Sequence, residues 1–237
     1  MKLLFLGDSI TQGVGASVYE NCYVSLVGQK LNCEVLNYGV SGTRIGRQEY
    51  VTHYSTIWNY DFRLRAEIMD RKADRVFVFG GTNDYGHGRL VLGNTDERTQ
   101  NTFCSELRLL IETLIEKYGK EKLCFVLPIH RFDEDGVSCK GETGKEQGAT
   151  LSEYVGIMRI IIKEYGIGIL DLFVNGIPKP RVNTGDEYTI HRQSGRVPRP
   201  APHQRPELLV LHAREPVQPR GRPPRRRPCS QRREPRR

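Results

Sequence analysis

The sequence predicts an α/β protein: a five-stranded parallel sheet covered by helices on both faces, a three-layer α/β/α sandwich. Two observations predict it. Five short apolar runs, rich in β-branched and aromatic residues, recur along residues 1–173, and the segments between them carry helical signals. Short buried strands separated by helices need crossover connections, and crossovers lay helices on the faces of a parallel sheet.

The elements follow in order. Residues 2–6 (Lys-Leu-Leu-Phe-Leu) form the first strand, and a helix over about 19–31 follows the loop that begins at Gly7. The second strand is 34–38, and a second helix lies between 55 and 72. Arg75–Phe79 is the third strand, closed by Gly80-Gly81. Over 95–118, Phe103, Leu107, Leu110, Ile111, Leu114 and Ile115 recur at helical spacing and the run stops at Gly119. The fourth strand is 122–127, ending before Pro128; a helix over 151–165 is closed by Gly166; the fifth strand is 168–173. Right-handed crossovers leave few topologies for this order, and a flavodoxin-like one is the natural choice.

Composition divides the chain. The overall net charge is +8, but residues 191–237 hold 14 Arg, no Lys and 3 Glu, a net +11, which leaves −3 for residues 1–190. The same tail has 10 of the 13 prolines and no Phe, Tyr or Trp, so it has little to bury against the entropy of ordering. We therefore expect a folded domain over 1–190 and a disordered tail over 191–237. The N-terminal apolar run is too short to span a membrane or serve as a secretory core, and the expected location is cytoplasmic. The six cysteines are scattered without zinc spacing, so reduced, packed thiols are expected and no metal site is argued. Phosphate-loop and dinucleotide fingerprints are absent after the first strand, which disfavours a nucleotide enzyme.

Three strand ends carry polar groups that suit acyl transfer. Gly7-Asp8-Ser9-Ile10-Thr11 closes the first run, Asn37-Tyr38-Gly39-Val40-Ser41-Gly42 the second, and Gly81-Thr82-Asn83-Asp84 the third. In a parallel sheet these ends lie along one edge, where open α/β sheets bind ligands. Each segment alone reads equally as a turn or a helix cap. Together they supply a candidate nucleophile in Ser9 and oxyanion donors in the N–H groups of Ser9 and Gly42 and the Asn83 amide. Asp8, Tyr85 and His130 are expected beside the substrate, with His87, Arg89 and Arg131 as polar neighbours. Asp133-Glu134-Asp135-Gly136 is read as a solvated turn, and Tyr60, Asp61, Arg63 and Arg65 as a surface patch.

In these blocks the sequence resembles the SGNH/GDSL hydrolase family, over residues 1–190. The resemblance implies a five-stranded α/β/α fold, hydrolysis of esters or thioesters without a cofactor, Ser9 as nucleophile, and Ser9, Gly42 and Asn83 as the oxyanion hole. The family's Asp-x-x-His block, which supplies the general base and its orienting carboxylate, has no counterpart at that spacing. The nearest substitute is Asp186 with His191, five residues apart.

Three origins fit the tail: a natural basic arm for nucleic acid or acidic surfaces, a fused end, or a reading frame shifted from about residue 190. The third is favoured. Arg/Pro-rich, Lys-free text is what misread GC-rich DNA gives, and residues 199–204 can be encoded so that a one-nucleotide offset reads Gly-Leu-His-Pro-Thr, though without the preceding Asp. The expectation is a serine esterase acting on a small acyl ester, with a carbohydrate as one candidate carrier and its rate lowered by loss of Asp-x-x-His. The alternative is a catalytically silent α/β module with a basic nucleic-acid-binding tail. The nucleotide sequence over codons 185–237 tests the shifted frame: an intact Asp-x-x-His in another frame is expected, and its absence ends the idea.

Overall fold

A computed structural model describes residues 1–47, 61–98, 101–136 and 149–176. The chain divides into two units, Met1–Val197 and Pro198–Arg237, and the second lies wholly outside the described residues. His191, Asp186 and the Arg/Pro-rich tail lie outside them too.

Five strands form the sheet: β1 (Lys2–Gly7), β2 (Glu34–Gly39), β3 (Arg75–Phe79), β4 (Leu123–Leu127) and β5 (Gly168–Asp171). All neighbours pair parallel, in the order β2-β1-β3-β4-β5, the flavodoxin-like order expected from the sequence. The helices are α1 (Ser9–Gln12), α2 (Tyr23–Leu31), α3 (Phe62–Ile68), α4 (Thr82–His87), α5 (Phe103–Tyr118), α6 (Leu151–Glu164) and α7 (Leu172–Asn175). None is long and apolar enough to cross a membrane.

Alternation along β1 sorts the two faces. Leu4 and Leu6 join Val76, Val78, Phe125 and Leu127 in the larger core, which α3, α5 and α6 cover. Leu3 and Phe5 face the other way, against Cys22 and Val24 beside α2, and the Phe5 ring stacks on Phe77. Burying one such leucine contributes roughly 2 kcal/mol, so β1, buried on both faces, anchors the sheet.

Several boundaries differ from expectation, each for a local reason. The segment expected as one helix over 19–31 opens with a 3₁₀ turn, Tyr19–Asn21, and extended backbone at Cys22 separates it from α2. The helix expected from 95 starts at Phe103. Thr102 caps it, its hydroxyl accepting from the Ser105 N–H while the Ser105 hydroxyl accepts from the Thr102 N–H. The fifth strand stops at Asp171, whose side chain accepts from the Val174 N–H and opens α7. Of the helix expected between 55 and 72, α3 is present, and residues 55–60 lie outside the described set.

The charged cluster expected on the surface is corrected. Asp61 and Arg65 are both 2% exposed, because Phe62, Arg65, Ala66 and Met69 occupy one helical face turned to the sheet. The turn at 133–136 also needs correction: Glu134 is buried, held by the Arg131 N–H at 2.8 Å. Cys22 and Cys104 are buried free thiols, and Cys33 and Cys124 are half-buried; Cys139 and Cys229 lie outside the described residues.

Candidate active site

The loops after β1, β2 and β3 meet at the carboxyl edge of the sheet, and hydrogen bonds tie them to one another. Asp8 caps α1: its carboxylate accepts from the Ile10 N–H at 2.9 Å, which leaves the Ser9 N–H at the half-buried first turn without a claim from Asp8. The half-buried Ser9 hydroxyl makes no hydrogen bond to any described residue.

The second loop docks on the first by close backbone approach. A Cβ at Gly39 would fall 2.2 Å from the Gln12 nitrogen, so only glycine fits there. Asn37 spans the gap, donating to the Thr11 carbonyl at 2.7 Å and accepting from the Gly39 N–H at 2.8 Å. Farther along, the Ser41 N–H donates to the Gln12 side chain at 2.6 Å. Gly42 is buried at φ +74°, a left-handed conformation that turns the chain toward Thr43.

The third loop clamps the second. The Asn83 amide donates to the Thr43 carbonyl at 2.9 Å, which uses one of its two N–H groups. Asp84, next in sequence, accepts from the Ile45 and Gly46 N–H groups at 3.1 and 2.7 Å. Beneath them the buried Arg65 guanidinium donates to the carbonyls of Gly7 (2.7 Å) and Tyr38 and to the Thr43 hydroxyl (2.6 Å). In the sequence Arg65 reads as surface, Asp84 stands out only within the third block, and Thr43 is passed over. An arginine in phase with Phe62, Ala66 and Met69 was the available signal.

The other expected site residues are placed differently. Asp8 is 1% exposed and caps α1, so it organises the loop. Tyr85 is buried: its ring packs edge-on against Tyr154, and its hydroxyl donates to the carbonyls of Asp133 and Gly136. It fastens the loop after β4. His130 stands on that loop with its side chain 22% exposed and Nδ1 at 2.9 Å from Glu134. Among the described residues no group of three His, Cys, Asp or Glu side chains is placed to hold a metal ion.

Burial shapes the acids. Desolvation pushes the Asp8 carboxyl up to about 6; the Ile10 N–H opposes it, Asp84 adds to it, and Arg65 opposes it. Burial also raises Asp84, against the Gly46 and Ile45 N–H groups and Arg44. Because Asp8 holds its proton more tightly folded than at its ordinary value of 3.8, its contribution to stability is complete below that value and is lost as pH rises through about 6. The gap corresponds to about 3 kcal/mol. Asp8→Asn keeps the acceptor for Ile10 and cannot ionise. Its stability relative to the parent should therefore rise by up to about 3 kcal/mol between pH 4 and pH 8. Urea unfolding at the two pH values checks this, and parallel behaviour of the two proteins would contradict it.

Comparison with known proteins places this arrangement. The sequence model of the GDSL-like lipase/acylhydrolase family matches residues 5–196. A protein of known structure from Lactobacillus plantarum is 25% identical and superposes with a TM-score of 0.62, covering 78% of this chain and 83% of that one. A protein described as a possible lipase from Chitinophaga pinensis shares the fold at 23% identity and a TM-score of 0.53, over 73% of this chain and 67% of that one. A search of curated proteins returned no match.

Proposed function

The chain belongs to the GDSL-like lipase/acylhydrolase family, and from that premise we propose that it is a serine esterase cleaving a carboxylic ester with a small acyl group, such as an acylated carbohydrate. The observation that carries the reading is the cross-linking of three strand-end loops, the first of which carries a hydroxyl that no described residue engages. Asn37 joins the first loop to the second, Asn83 and Asp84 join the second to the third, and Ser9 stands in the first.

The chemistry follows from the groups present. The Ser9 oxygen attacks the ester carbonyl, and the electron pair of the C=O bond moves onto oxygen. The N–H groups of Ser9 and Gly42 and the second N–H of Asn83 stabilise that oxyanion. Collapse expels the alcohol and leaves an acyl-serine that water then cleaves. After the fifth strand the sequence has no Asp-x-x-His pair for the proton transfers; where nothing replaces it, loss of a triad member costs a serine hydrolase roughly 10⁴-fold in rate.

A chromogenic ester series from acetate to decanoate tests the reading, with acetate expected to give the highest kcat/KM. Asn83→Ala should lower kcat about 10²–10³-fold with little change in KM, since its amide acts on charge that develops only in the transition state. A drop confined to KM would contradict the oxyanion role. No turnover of any ester, joined with salt-sensitive nucleic-acid binding lost on deleting 191–237, would favour the silent module instead.

A further inference from the structure

The loop after β4 holds an imidazole in the arrangement of an oriented base. His130 Nδ1 lies 2.9 and 3.1 Å from the two oxygens of Glu134. Glu134 is only 6% exposed, and the Arg131 N–H fixes it from a second direction at 2.8 Å. The ring itself lies against Phe173 of α7, centroids 4.2 Å apart. Facing a carboxylate, Nδ1 carries the ring proton, which leaves a lone pair on Nε2. Nε2 has no hydrogen-bond partner among the described residues.

The loop is also fastened to the strand end that carries Asn83. The Arg131 guanidinium donates to the Thr82 carbonyl at 3.0 Å, Tyr85 donates to the carbonyls of Asp133 and Gly136, and a Cβ at Gly81 would lie 3.3 Å from Pro128. Register sets the level: Gly7, Phe79 and Val126 form one row across β1, β3 and β4. Ser9 stands two residues beyond that row and His130 four. Two strand spacings separate the β1 and β4 backbones by about 10 Å at that row, and both residues stand beyond it on the same carboxyl edge of the sheet.

We propose that His130, oriented by Glu134, is the proton acceptor for Ser9 in this chain. The inference rests on the esterase reading and supplies the group that the missing Asp-x-x-His would have provided. As the Ser9 oxygen bonds to the carbonyl carbon, its proton passes to Nε2. The resulting imidazolium, stabilised by Glu134, returns that proton to the leaving alkoxide when the C–O bond breaks. In the second half water attacks the acyl-serine, its proton goes to Nε2, and the serine oxygen regains a proton as the carboxylic acid leaves. Glu134 is a positioning residue. Glu134 is the charged group bonded to the imidazole among the described residues, and the same loop carries the Arg131–Asp133 pair, whose closest contact is 2.9 Å.

The test compares His130→Ala, His130→Gln and Glu134→Gln with the parent on the acetate ester. Both His130 variants should lose about 10²–10⁴-fold in kcat with KM within a few fold. Added imidazole should restore part of the alanine variant's rate, and its acid limb in the pH–rate profile should vanish. The glutamine variant fills the same space, so a shared loss is not a packing effect on Phe173. Glu134→Gln should lower kcat less than either His130 variant does, with KM unchanged. A His130→Ala that keeps kcat, or that changes KM alone, overturns the proposal while leaving the esterase reading intact, provided Ser9→Ala is inactive. If Ser9→Ala retains full turnover, both fall.

Discussion

Ser9→Ala is expected to lower kcat for a chromogenic acetate ester by about 10³-fold or more, while stability stays within about 0.5 kcal/mol of the parent. The second half of that expectation follows from the structure. The Ser9 hydroxyl bonds to no described residue, and the α1 cap is made by Asp8 rather than by Ser9. Removing the oxygen therefore takes away the nucleophile and nothing that holds the loop. The size of the kinetic effect carries further information, because nucleophile and base act as a unit. A serine with no proton acceptor contributes little beyond what the oxyanion donors give unaided, so its loss would cost little. A large drop thus requires that Ser9 is being deprotonated. Steady-state kinetics of the two proteins, with unfolding curves alongside, decide it; an unchanged kcat would contradict the role of Ser9.

Arg65→Leu should destabilise the fold by about 3–5 kcal/mol, the largest stability effect expected of any single change at the site. The guanidinium is sealed from water, sits over the Phe62 ring at 4.7 Å, and satisfies acceptors on three segments: Gly7, Tyr38 and Thr43. Leucine fills part of the volume but leaves those acceptors without their donors, and each buried unmet group costs about 1–3 kcal/mol. Gly7 and Thr43 adjoin Asp8-Ser9 and Gly42, so activity should fall along with stability. Arg65→Lys keeps a charge but not the fork that reaches three acceptors, and should lie between leucine and the parent. Urea unfolding measures all three proteins. A leucine variant within about 1 kcal/mol of the parent would mean that the guanidinium does not knit the loops.

The strands were legible because a parallel strand buried on both faces is written as a nearly unbroken apolar run, as in residues 2–6 and Arg75–Phe79. Helix starts were less so, since periodicity does not say where a cap will form. Thr95 and Thr102 look equally suitable, and the exchange between Thr102 and Ser105 settles the matter. At the candidate site, Ser9, Gly42 and Asn83 stand out in the sequence as small or polar residues in the segments that follow strands. The framework beneath them was not. Arg65 and Asp61 read as surface because isolated charges usually are, and only their phase with Phe62 and Ala66 told otherwise. Tyr85 read as a pocket residue for its hydroxyl, which the fold uses to hold two loop carbonyls while the ring packs inward. Glu134 was hidden in a turn of acidic residues, although its spacing of four from His130 was there to be seen.

In the proposed esterase, the loops after β1, β2 and β3 converge on one tetrahedral centre. A crystal structure of the protein treated with an organophosphate ester tests it most directly, because the phosphorus adduct imitates the tetrahedral intermediate. A covalent bond from the Ser9 oxygen to phosphorus is expected, with the phosphoryl oxygen within about 3 Å of the Ser9 and Gly42 nitrogens and the Asn83 amide. An unmodified Ser9, or an adduct whose phosphoryl oxygen faces away from Gly42 and Asn83, would contradict it.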